Sequence, residues 1–202
     1  YQINLAIAGI AVGTVSLPVL SKAFKEKNLK KLSNIQSKSF ELSLLLSIPA
    51  SFGLIFASNE IVNALFGYGS FSIEDVKLTA DALKYFGYGV PAFALVKILS
   101  NFFFARDNTK TPFYISIGIV AANISISISF FSSLGFIIIP IATSISTWLG
   151  VLIYIYLLNR RKSLMLRVEL MPNFLKILLS TIIMSSILVM TLKKYASYLD
   201  YS

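Results

Sequence analysis

Lys97 lies deep inside a long apolar run, between Pro91 and Arg106. An ionisable group placed so deep either snorkels its ammonium to a membrane surface or lines a polar cavity. Glu41 sits near the start of another apolar run, as a cavity carboxylate or as the partner of nearby Lys38. Arg106 and Asp107 open the tight turn Arg106-Asp107-Asn108-Thr109-Lys110-Thr111-Pro112. Adjacent opposite charges there suit contact with an anionic substrate, or a local ion pair that shapes the loop. Asn123 and Ser127 are four residues apart and share one helical face. They suit hydrogen bonds between helices, or oxygen ligation of a small cation. The chain has no histidine and no cysteine. It therefore lacks the commonest general base and any thiolate metal site. No glycine-rich phosphate loop, metal-ligand cluster or catalytic triad pattern is present. Enzyme readings lose weight accordingly.

The elements that must position them are apolar and long. Hydrophobic runs cover about 3–20, 39–57, 78–104, 112–133, 136–158 and 174–192. Each is close to the ~20 residues a helix needs to cross a bilayer core. The 202 residues are 56% hydrophobic and 13% charged, with mean hydropathy +0.77. That charge share is about half of what soluble domains carry. Lysine and arginine crowd into alternate connections. Thirteen of the eighteen fall in or beside 21–38, 105–111 and 159–173. This bias marks those loops as cytoplasmic. The net charge of +9 is thereby explained without nucleic acid. The expected class is an all-α polytopic membrane protein of about six transmembrane helices, with no soluble domain. The chain opens at Tyr1-Gln2 directly in an apolar run without a charged leader. It is expected to be a piece of a longer membrane protein.

Local signals refine the elements. Gly9 and Gly13 form a small-xxx-small pair that lets helices approach closely. Within 21–38, Phe24, Leu29, Leu32 and Ile35 give an apolar stripe, read either as a short helix on the membrane surface or as a solvated connector. Gly67-Tyr68-Gly69 marks a turn, and Ser72 with Glu74 and Asp75 signals a helix start. Gly87, Gly89 and Pro91 are expected to tilt or kink the third span. Thr111 suits an N-cap before Pro112. Ser132-Ser133-Leu134-Gly135 turns the fourth span into the fifth as a hairpin.

Several motifs resemble one family. Gly13-Thr14-Val15-Ser16-Leu17-Pro18-Val19-Leu20-Ser21 is similar to a G-T-x-x-x-P-x-L-S signature. Phe66 to Phe71 resembles an F-x-x-G-x-F loop. Tyr88 to Leu99, followed by Phe104 to Pro112, completes the set in order and spacing. Together they resemble the MurJ (MviN) family of lipid II flippases, in the MATE-like exporter superfamily. The resemblance implies a two-lobed fold of fourteen helices around a central cavity. This chain would supply about helices eight to thirteen and lack the N-terminal lobe. It implies a bacterial inner-membrane location, lipid II as substrate beside membrane lipids, and no resident cofactor. Substrate or gating roles would fall locally on Lys97, Arg106, Asp107 and Glu41. Some members carry a sodium site, whose Asn-x-x-x-Asp pair aligns with Asn123 and Ser127 and whose threonine aligns with Thr143. Ser127 replaces the carboxylate by a hydroxyl, which weakens the case for a coupling Na+. The alternatives are a related exporter of drugs or polysaccharide-linked lipids, and a non-transporting membrane scaffold.

Overall fold

The structure, a computed structural model, describes residues 6–167 and 170–195. A π-helical turn, Ala6–Ala11, leads into α1, Val12–Lys25. Then come α2 (Leu29–Phe56), α3 (Ser58–Phe66), α4 (Ile73–Phe104), α5 (Lys110–Leu134), α6 (Ile138–Arg160) and α7 (Leu170–Tyr195). Every regular element among the described residues is a helix, as expected. Four stretches are long and apolar enough to cross a membrane: Leu29–Phe56, Ile73–Phe104, Lys110–Arg160 and Leu170–Lys194. The third contains the α5–α6 hairpin, turned at Gly135, whose φ of +59° suits glycine. The first expected span, 3–20, begins outside the described residues, and its described part runs on to Lys25.

Two expectations are corrected. Residues 21–38 are neither a separate surface helix nor a solvated connector. The chain turns at Lys27 (φ +51°), and the Asn28 side chain accepts from the Lys31 amide at 2.9 Å, so α2 starts there and continues unbroken through the bilayer-length run. Leu32 and Gln36 are buried in the process, which a surface helix would not allow. The connection 58–77 holds α3, whose Val62 packs against Val76 and Ala80. The helix start at Ser72 forms as read: Ser72 Oγ accepts from the Asp75 amide at 3.1 Å, and the Asp75 carboxylate accepts from the Ser72 amide at 3.0 Å. The start of α5 differs slightly. The Asn108 side chain, not Thr111, takes the free amide, accepting from Thr111 N at 3.1 Å.

α4 is the central pillar. It packs on α1, α2, α3 and α6, and its inner residues Leu95, Ile98, Leu99, Phe102 and Phe103 form the heart of the core. The helix passes through Gly87, Gly89 and Pro91 without a break, and the reason is local. Pro91 has no N–H, so the carbonyl of Gly87, four residues back, loses its helical donor. Ser51 of α2 supplies one, donating Oγ–H at 2.7 Å. Close approach makes this reachable. A Cβ on Gly87 would meet Ile55 Cγ1 at 3.0 Å, and one on Gly89 would meet Ser144 Oγ at 2.6 Å. From α6, Ser144 donates to the Tyr85 carbonyl at 2.7 Å and Trp148 Nε1 to the Tyr88 carbonyl at 3.0 Å. At the other end, Asn101 of α4 donates to the carbonyl of Gly13 at 2.7 Å, giving that glycine a specific partner.

Ser51→Ala is expected to leave the Gly87 carbonyl short of a donor in a dry interface. The thermal unfolding of the full-length protein in detergent should then show a loss of about 1 kcal/mol. An unchanged melting temperature would mean that the bond contributes nothing.

Candidate functional site

The three basic connections meet at one end of the helix bundle. α1, α4 and α6 each finish there on a left-handed residue, Lys27, Asp107 and Lys162, with φ of +51°, +56° and +51°. In each case the next amide reaches back five residues: Asn28 to Ala23 (3.2 Å), Asn108 to Phe103 (3.1 Å) and Ser163 to Leu158 (2.8 Å). This closes the helix by the Schellman pattern, here without glycine.

Arg106 ties the loops together. Its guanidinium donates to the carbonyl of Phe102 and, at 2.9 Å, to that of Ser163, and it lies 5.3 Å from the ring centre of Phe24. Burial lowers its pKa from the usual guanidinium value. The expected pairing of Arg106 with Asp107 is not what forms. Backbone carbonyls and a ring face take the cation, and Asp107 serves the turn through its backbone.

Beyond Ser163 the chain runs extended along α2. Gln36 is fully buried. It donates to Ser163 O at 3.1 Å and accepts from Met165 N at 2.9 Å, as a neighbouring strand would. Ser33 donates to Met165 O at 2.6 Å, and Arg167 N donates to Ser37 Oγ at 2.8 Å. Sequence reasoning passed over Ser33, Gln36 and Ser37. Gln36 did carry a signal: it sits one turn from both Leu32 and Phe40, and a lone amide on an apolar face needs partners.

Glu41 finds its partner on α7. Its Oε1 accepts from Asn173 Nδ2 at 2.9 Å, which replaces the expected pairing with Lys38. Lys97 stands apart from these networks. It is exposed while Ala94, Leu95, Ile98 and Leu99 around it are buried, and no side-chain partner reaches it among the described residues.

Asn123 and Thr143 are brought together. Asn123 Nδ2 donates to Thr143 Oγ1 at 2.8 Å, and that hydroxyl donates to Ile139 O at 2.7 Å. Ser127 Oγ is enclosed and without a partner. Residues 110–160 contain no Asp or Glu. The three groups therefore offer neutral oxygens only, with the threonine already engaged. These three groups supply no carboxylate for a hard cation, and in this structure the Asn123–Thr143 contact is a bond between α5 and α6.

A family model described as lipid II flippase MurJ matches residues 1–202. The chain belongs to that family. It is 36% identical over 200 residues to a probable lipid II flippase MurJ of Rickettsia prowazekii, covering 98% of this chain and 39% of that protein. The Rhizobium meliloti relative is 39% identical over 153 residues, covering 76% of the chain and 29% of the relative. A solved lipid II flippase MurJ in an inward closed conformation superposes with TM-score 0.81 at 30% identity, over 95% of this chain and 39% of that one. The chain thus spans about two fifths or less of the length of each of these three proteins.

Two outcomes are expected. Gln36→Leu strands the Met165 amide and should cost about 2 kcal/mol, with faster hydrogen exchange confined at first to 163–167. Unaltered exchange there would remove the amide from its role. Asp107→Gly relieves a left-handed non-glycine residue and should raise stability by about 0.5–1 kcal/mol while leaving transport intact. Lost transport in a stable variant would instead assign the carboxylate a direct role.

Proposed function

We propose that this chain is part of a bacterial inner-membrane flippase that carries lipid II from the inner to the outer leaflet by alternating access. The basic end faces the cytoplasm in this reading, supported by the thirteen cations of loops 21–38, 105–111 and 159–173 and their flanks. The work is differential binding of one substrate by two conformations. The remainder of the polypeptide, including an N-terminal lobe, closes the far side of the cavity.

Lys97 carries the reading. It lies seven residues, about 10 Å, from the end of α4. It is an exposed ammonium, unpaired among the described residues, and its neighbours Ala94, Leu95, Ile98 and Leu99 are buried. Such a cation is ready to meet a pyrophosphate by charge-assisted hydrogen bonding. Arg106, engaged by two carbonyls and a ring, is a positioning group for the cytoplasmic loops. Glu41, bound to Asn173, has a similar role between α2 and α7. This reading assigns no step to sodium, and Asn123, Ser127 and Thr143 contribute no carboxylate to such a site.

Complementation of a flippase-depleted strain tests this. The full-length parent gene should prevent lysis, Lys97→Arg should retain most growth, and Lys97→Ala should fail at normal expression with the protein present in the membrane. Growth of the Lys97→Ala strain like wild type would remove Lys97 from the mechanism. Failure of the parent gene itself would move the protein to a related exporter of the same fold.

A further inference from the structure

Two cavities at the end of the molecule opposite the basic loops are continuous. One, about 620 Å³, lies between α3 and the start of α4 and is polar, with Glu60, Asn63, Lys77, Asp81 and Lys84 on its walls. The other, about 720 Å³, is an apolar groove that includes Leu44, Ile48, Phe52, Trp148, Phe174 and Leu178. Ile55, Phe56 and Lys84 line both. From Leu44 to Phe56 the groove follows twelve residues of α2, about 18 Å.

Three observations say what fills it. First, α7 packs on α2 and on no other helix among the described residues, and Phe174 and Leu178 of α7 face Tyr88 and Pro91 of α4 and Trp148 of α6 across the groove. Second, the mouth holds two lysines and two carboxylates, yet Lys31–Glu26 is the only ion pair among the described residues. Glu60, Asp81 and Lys84 are half-buried there without a counter-ion. Third, the four charges balance. An anionic lipid would meet Lys77 and Lys84 but be repelled by Glu60 and Asp81, and a polyprenyl phosphate has the same difficulty. A soluble zwitterion would leave the groove empty.

We propose that this cleft binds a zwitterionic phospholipid from the leaflet at the α3 end. Its phosphate lies against Lys77 and Lys84, its ammonium against Glu60 and Asp81, and one acyl chain fills the wedge beside α7. The lipid is a resident that seats α7, not cargo, so the assignment stands apart from the transported substrate.

Native mass spectrometry of the purified full-length protein tests it, with dioleoyl phosphatidylethanolamine and dioleoyl phosphatidylglycerol as probes. Wild type should retain the ethanolamine lipid about fivefold or more over the glycerol lipid, the size expected of one or two partly exposed ion pairs. Glu60→Gln with Asp81→Asn should abolish the discrimination by raising glycerol-lipid retention, a gain that misfolding cannot produce. Lys77→Gln with Lys84→Gln should lower retention of both lipids. Equal retention by wild type, discrimination that survives the carboxylate double variant, or displacement of the ethanolamine lipid by undecaprenyl phosphate would each overturn the proposal.

Discussion

A membrane offers helices little hydrophobic reason to associate, because lipid tails are as apolar as leucine. The fold therefore rests on backbone approach close enough for polar groups to bond across helices, and the carbonyl of Gly87 is where this is clearest. Pro91 frees it, Ser51 takes it, and the glycines on either side allow α2 and α6 to come within reach. The neighbouring carbonyls of Tyr85 and Tyr88 accept from Ser144 and Trp148 of α6. The same residues that weaken α4 as a lone helix thus fasten it as the pillar of the bundle.

The basic end solves a different problem. Many cations are gathered there with few carboxylates, and Lys31–Glu26 is the one ion pair among the described residues. Backbone carbonyls and aromatic faces hold the loops instead. Arg106 rests on Phe102, Ser163 and Phe24, and Arg161 lies 5.5 Å from the ring centre of Phe103. The segment after Ser163 is fastened to α2 through Ser33, Gln36 and Ser37. Loops held by neutral groups keep their positive charge available to the surroundings, which fits an anionic membrane surface.

These two regions divide the work of the chain within its family. The packed α4 region is built for stiffness, and Lys97 is the charged group it leaves uncovered. The α5–α6 hairpin and α7 expose long apolar faces, as helices bathed in lipid do, and among the described residues α7 packs on no helix but α2.

Composition and periodicity determined the class: apolar runs of bilayer length and alternate basic loops left few choices but a helical polytopic membrane protein. Motif order pointed to the family, since Gly13 to Ser21 and Phe104 to Pro112 keep their spacing along the chain. Short-range signals also read correctly where the deciding atoms are local, as at Ser72 with Asp75 and at the Gly135 hairpin. Pairing across the bundle was another matter. Lys38 is the nearer candidate for Glu41 and Asp107 for Arg106, yet Asn173 and Ser163 take those roles from 132 and 57 residues away. Whether Arg106 is spent, Lys97 uncovered and Asn123 closed on Thr143 depends on which helix faces cross. That is set by close packing among distant segments, a property no local stretch of sequence contains.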